Sequence, residues 1–97
     1  MKQIVLVATL EVKPEFCEAV LDFFNTGMIG KSRAEAGNIQ YDLHQSLEDK
    51  NVLVMIEIWA NAAALDEHNA SEHFQAFVAF VDGKLNGLDI KHLNKVA

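Results

Sequence analysis

NIQYDLHQSLEDKNVLVMIEIWA, residues 38–60, holds two extended runs, 38–47 and 51–60, on either side of Glu48-Asp49-Lys50. The second run is apolar on both alternating faces. Val52, Val54, Ile56 and Ile58 oppose Leu53, Met55 and Trp59, and Glu57 is the one charged interruption. A β-branched run of this kind reads as a strand covered on two sides, and the short polar connection makes the pair an antiparallel hairpin with a tight turn.

Working outward, residues 3–12 form a second such strand, with Ile4, Leu6, Ala8 and Leu10 on one face and Val5, Val7 and Thr9 on the other. Pro14 suits a helix start, and Phe16, Ala19, Val20, Phe23 and Phe24 follow at helical spacing, predicting a helix over about 14–26. Gly27 and Gly30 are expected to loosen or break it before a short turn at about 31–36 that ends on Gly37 as a left-handed cap. After the hairpin, Asn61 caps a short helix over 62–69. Ser71 caps another, carrying Phe74, Phe77, Val78, Val81 and Leu85, which Asn86-Gly87 is expected to stop. Residues 88–96 read as a final polar edge strand. The order β-α-β-β-α-β predicts an α+β, ferredoxin-like fold, a four-stranded antiparallel sheet with helices on one face. The other face, apolar in its first and third strands, needs cover, and a second copy of the chain is the simplest occupant, so a homodimer formed sheet to sheet is predicted.

Ninety-seven residues fit one domain over 1–97, and 51% apolar residues with one proline exclude a disordered segment. Eight basic against fourteen acidic residues give a formal charge of −6 with no basic run, so neither nucleic acid nor an anionic membrane surface is an expected partner. The apolar stretch from Ile4 to Leu10 is far below the roughly 20 residues that span a bilayer, and no leader pattern precedes it, so a cytoplasmic location is expected. The lone Cys17 sits in a helical pattern and reads as an inert core thiol.

Glu57 shares a face with Met55 and Trp59, where a carboxylate must be paired. It is either a structural acid held by a backbone amide, a lysine or Arg33, or an acid that orients a histidine or a substrate hydroxyl. Trp59 is either core or the flat wall of an aromatic-substrate pocket. Of four histidines, His92 lies on the polar edge strand and is expected at the surface. The face of His44 depends on hairpin register. If paired residue numbers sum to 99, His44 opposes Met55 and Asp42 opposes Glu57; if they sum to 98, Tyr41 faces Glu57. His68 follows Leu65 by three positions and leans toward the sheet, while His73 shares a flank with Phe77 and Phe80. These two are five positions apart with a cap between them, a poor spacing for a shared metal on one helix face, and no metal is expected. The absence of a Gly-rich phosphate loop and of a nucleophile turn disfavours phosphoryl transfer and acyl-enzyme chemistry.

Residues 34–77 combine Glu35-Ala36-Gly37-Asn38-Ile39-Gln40-Tyr41, Glu57-Ile58-Trp59 and a junction running from His68 to His73-Phe74. This combination resembles the antibiotic biosynthesis monooxygenase family, quinol monooxygenases included. The resemblance implies a dimeric ferredoxin-like α+β barrel with a pocket between sheet and helices in each subunit. Some members oxidise a small aromatic substrate, a quinol, anthrone or similar electron-rich ring, with O2 and no cofactor, others are isomerases or haem-degrading enzymes, and the monooxygenase is the expected activity here. Haem-degrading relatives use an asparagine on the first strand, where this chain offers only Thr9, so haem is not expected. In cofactor-free oxygenation a base generates a phenolate or enolate in a dry pocket. His44 or His68 is the expected base, Glu57 orients it or a substrate hydroxyl, Tyr41 donates a hydrogen bond, and Trp59, His73 and Phe77 contact the substrate. Two rival functions remain, an isomerase of a small carbonyl metabolite using the same groups and a non-catalytic dimeric binding module; oxygen consumption separates them from the first.

Overall fold

The structure, a computed structural model, describes residues 2–97. Strands β1 (Ile4–Val12), β2 (Asn38–Gln45), β3 (Val52–Trp59) and β4 (Leu85–Leu93) form one antiparallel sheet in the order β2-β3-β1-β4. The two strands with apolar residues on both faces are therefore the central pair. Helices lie on one face only, which is the ferredoxin-like arrangement read from the sequence.

Register sorts the side chains. Leu6, Ala8, Leu10 and Val12 of β1 and Leu53, Met55, Glu57 and Trp59 of β3 point under the helices and are buried. Val5, Val7, Val54, Ile56 and Ile58 line the other face, which no element among the described residues covers. Across the hairpin Tyr41 pairs with Glu57 and His44 with Val54, so paired numbers sum to 98.

The first helical segment is loosened at Gly27, which lies in a π-helical turn, and is broken at neither Gly27 nor Gly30. A 3-10 turn (Pro14–Phe16) leads into α1 (Cys17–Phe23), a π-helical turn (Phe24–Met28) and α2 (Ile29–Arg33) without interruption. The wide turn absorbs the register drift, so that Cys17, Val20, Phe24, Met28 and Ser32 all face the sheet. Gly37 is not a left-handed cap, since Gly83 is the one described residue with positive φ (78°). Gly37 is instead a close-approach site, where a Cβ would overlap Ala64 Cβ. The hairpin connection spans 46–51 rather than a tight turn, with Ser46 Oγ accepting from the amides of Glu48 and Asp49.

Asn61 and Ser71 do cap helices, α3 (Ala62–Ala70) and α4 (Glu72–Val81), by accepting from the amides of Ala64 and Phe74. However, α4 ends at Val81 and turns at Gly83. Leu85, Asn86 and Gly87 belong to β4, which starts three residues earlier than its composition suggested because Leu85 pairs with Val12 across a bulge. No helix of the described residues is long and apolar enough to cross a membrane.

Candidate active site

Between the sheet and α4 lies a cavity of about 450 Å³. Its floor is laid in rungs by strand pairing. One rung runs Tyr41, Glu57, Leu6, His92; the next runs Met55, Ala8, Ile90. Phe24, Met28, Phe74, Phe77, Val78 and Val81 supply apolar walls, and His68 closes the polar end.

Among the described residues Glu57 is the one carboxylate lining this cavity. Trp59 Nε1 donates to its Oε1 at 2.9 Å, and its side chain is only 8% exposed. Burial pushes the Glu57 carboxyl up to about 7; the indole donor works against that shift and the negative charge of Glu35 adds to it. Burial, reinforced by Glu57, likewise holds the Tyr41 phenol above its ordinary value of 10, so it stays a hydrogen-bond donor. The partners considered for Glu57 from sequence do not include the right one. Arg33 is taken by Asp42 at 2.9 Å and by the Tyr41 carbonyl at 3.0 Å.

Glu35, on the turn between α2 and β2, accepts at one oxygen, Oε2, from His68 Nδ1 at 2.6 Å and His73 Nε2 at 2.9 Å. Their spacing is poor for a shared site on one helix face, but the two imidazoles stand on different helices, His68 on α3 and His73 on α4. The break at Ser71 turns the chain between α3 and α4, and the rings come to rest with centroids 5.7 Å apart. Burial lowers the proton affinity of His68 despite the pull of Glu35, so near neutral pH it is an uncharged imidazole with its proton on Nδ1. Its bare Nε2 then faces Glu57 Oε1 at 4.0 Å. Exposure grades along the chain of groups, from 15–19% at the His73 and Glu35 side chains to 2% at His68. The donor atoms of Glu35, His68 and His73 lie within 4.8 Å of one another, the one such group among the described residues. The ligands of a tetrahedral zinc stand roughly 3.4 Å apart given bonds of about 2.0–2.1 Å. The contacts here are shorter, and they are hydrogen bonds that join the three side chains at Glu35 Oε2.

A family model described as antibiotic biosynthesis monooxygenase matches residues 3–79. The chain belongs to this family. A Bacillus subtilis (strain 168) protein named Putative monooxygenase YcnE is 46% identical over 76 residues, 78% of this chain and 79% of that protein. Among solved structures, PA3566 from Pseudomonas aeruginosa superposes with a TM-score of 0.93 at 36% identity, covering 100% of this chain and 97% of that one. A structure titled antibiotic biosynthesis monooxygenase gives 0.90 at 29% identity over 97% and 99% of the two chains.

Within this family member, the structure brings Tyr41, Glu57 and His68 together on the cavity with Phe77. Trp59 is fully buried and does not line the cavity; it touches Glu57 and lies against His68, with ring centroids 4.5 Å apart and planes tilted by 33°. His73 also stands outside the cavity, on the far side of Glu35. His44 is not brought to the site. Register places it on the opposite face from Tyr41, exposed, against the Val54 carbonyl at 3.2 Å. His92 is exposed as expected but points to the helix-covered face at the cavity rim. Glu35 received no role from the sequence, although it opens the motif Glu35-x-Gly37. The signal was present, because Gly37 packs on Ala64 of α3 and so carries the preceding turn against the helix that holds His68.

Proposed function

We propose that the protein is a cofactor-independent monooxygenase for a quinol or related electron-rich aromatic, with Glu57 as the base. The observation that carries this reading is a single carboxyl group, pushed up to about 7 by burial, set beside Tyr41 and a neutral imidazole in a cavity whose walls are mostly apolar.

The substrate hydroxyl transfers its proton to Glu57, and Tyr41 stabilises the resulting phenolate by donating to its oxygen. The phenolate gives one electron to O2, and the two radicals recombine to form a ring C–O bond. Loss of the ring C–H proton and cleavage of the O–O bond then yield the hydroxyquinone and water, so that quinol plus O2 equals hydroxyquinone plus H2O. The apolar walls exclude water, which would otherwise stabilise the phenolate and slow its oxidation. Protons leave Glu57 through His68 Nε2, whose Nδ1 proton moves to Glu35 and from that more exposed carboxylate to solvent, while His73 Nε2–H stays donated to Glu35. Two such proteins are proposed to pair through the uncovered face that carries Val5, Val7, Val54, Ile56 and Ile58.

An oxygen electrode tests the reading with a panel of quinols, anthrones and small hydroxyketones. Glu57→Gln keeps an acceptor for the Trp59 indole but removes the base, and is expected to lower quinol-dependent oxygen uptake by about 10²–10⁴-fold. Uptake that survives in Glu57→Gln refutes the role of Glu57. Turnover of a hydroxyketone without oxygen uptake replaces the oxygenase with the isomerase, and no turnover across the panel favours the binding module. Sedimentation at micromolar concentration tests the pairing, and a monomer contradicts it.

A further inference from the structure

The ligand class can be narrowed from the way the cavity is graded. We propose that this site takes an amphiphile, a hydroxylated aromatic head seated at Tyr41 and Glu57 with a hydrocarbon tail that leaves between α4 and β4. The inference rests on the reading of Glu57 as the group that meets the substrate hydroxyl.

The first observation is the order of the rungs. The floor's polar side chains, Tyr41, Glu57 and His92, share one rung. The next rung holds Met55, Ala8 and Ile90, and the one after it Leu53, Leu10 and Leu88. Rungs on one sheet face follow each other at about 7 Å, so the hydrocarbon part of the floor extends about 13 Å from the polar rung. One hydroxylated ring covers the first step of that distance and leaves the rest with nothing to bury.

The second observation is the state of the opening. Val78 of α4 and Leu88 and Ile90 of β4 line the cavity and are still 47%, 53% and 48% exposed. Large apolar side chains standing in water around an opening give up free energy only when something apolar lies against them. A polar metabolite enclosed at Glu57 would leave these three unchanged. A tail that passes over them buries them in the order in which they stand.

Isothermal titration under argon with 1-naphthol and its ring-substituted methyl, butyl, octyl and dodecyl forms tests the proposal on the wild-type protein. These heads keep the hydroxyl, and without O2 they cannot be oxygenated. Affinity is expected to rise about threefold to fourfold per buried methylene and to level off once the chain outruns the apolar floor. Val78→Asp and Ile90→Asp, both at half-exposed positions, are expected to reduce the ratio of octyl to methyl affinity by tenfold or more. A flat dependence on tail length overturns the proposal. So does an equal loss for the methyl and octyl forms in both variants, or the same tail increment for an octyl glucoside, which carries no aromatic head. The outcomes separate from those of the oxygenase test: steep tail dependence without oxygen uptake keeps the ligand class and removes the oxygenase, and brisk uptake with a flat dependence does the reverse.

Discussion

The proton affinity of Glu57 makes a prediction that needs no substrate. In the unfolded chain this carboxyl titrates near its ordinary 4.5, and in the fold near 7. The folded protein therefore holds the proton more tightly, so the group's contribution to stability is fully present below pH 4.5 and is lost as pH rises through 7. At about 1.4 kcal/mol per pH unit the difference corresponds to about 3 kcal/mol. His68 acts with the opposite sign. Its folded affinity lies below the ordinary 6.5, so it favours the folded state as pH rises and the imidazole becomes neutral. Comparing wild type with Glu57→Gln at each pH cancels the histidine and isolates the acid. The variant keeps an acceptor for Trp59 Nε1, so the comparison does not also remove that hydrogen bond. Urea unfolding at fixed protein concentration, followed by emission of the single tryptophan, should show the variant gaining on wild type between pH 5 and pH 8. At the usual urea slopes of about 1–3 kcal/mol per molar, the gain is roughly 1–3 M in midpoint. A gap that stays constant across this range, or that grows toward acid, refutes the account of Glu57 as a buried acid with a raised affinity.

Trp59→Phe removes the one donor to Glu57 Oε1; at about 1.5–3 kcal/mol for a bond to a charged group, the acid limb of the pH–rate profile should move up by roughly one to two pH units. An unchanged limb would mean that the indole does not stabilise the carboxylate. His44→Ala should leave kcat/KM for the best quinol within about twofold, because the ring lies on the other face of the sheet; a large loss would place the catalytic site elsewhere. Gly37→Ala forces a methyl group into Ala64 and should destabilise the fold by about 1–3 kcal/mol, read in the same urea titration.

What could be read from residues alone follows a physical division. Periodicity within an element was sufficient where one residue type decides: the alternation in 52–59 gave a central strand, and Asn61 and Ser71 announced helix starts that the structure repeats. Elements whose limits depend on a neighbour were not legible in that way. Leu85 fits the helical spacing of Phe77, Val78 and Val81, yet its backbone pairs with Val12, and only a folded β1 makes that pairing available. Gly27 and Gly30 weaken an isolated helix, but a helix continuously packed through Phe24 and Met28 tolerates them, since tertiary burial outweighs a propensity difference of about 1 kcal/mol per glycine.

The candidate site divides along the same line, and more sharply. Glu57 was recognisable as an anomaly because a carboxylate in an apolar strand demands an explanation wherever the strand lies. Its partners were not recognisable, because each arrives by a separate long-range event. Tyr41 depends on a hairpin register that is silent in composition, and a register one residue different would have brought Asp42 against Glu57 in its place, setting two like charges side by side. His68 and His73 depend on a helix break whose angle no spacing rule contains. Glu35 depends on Gly37 lying against Ala64. The chemistry proposed here therefore belongs to the junctions between elements rather than to any one of them. Substitutions at Gly37 or Ser71, neither of which lines the cavity, should disturb the Glu35 triad as directly as a change in one of its imidazoles.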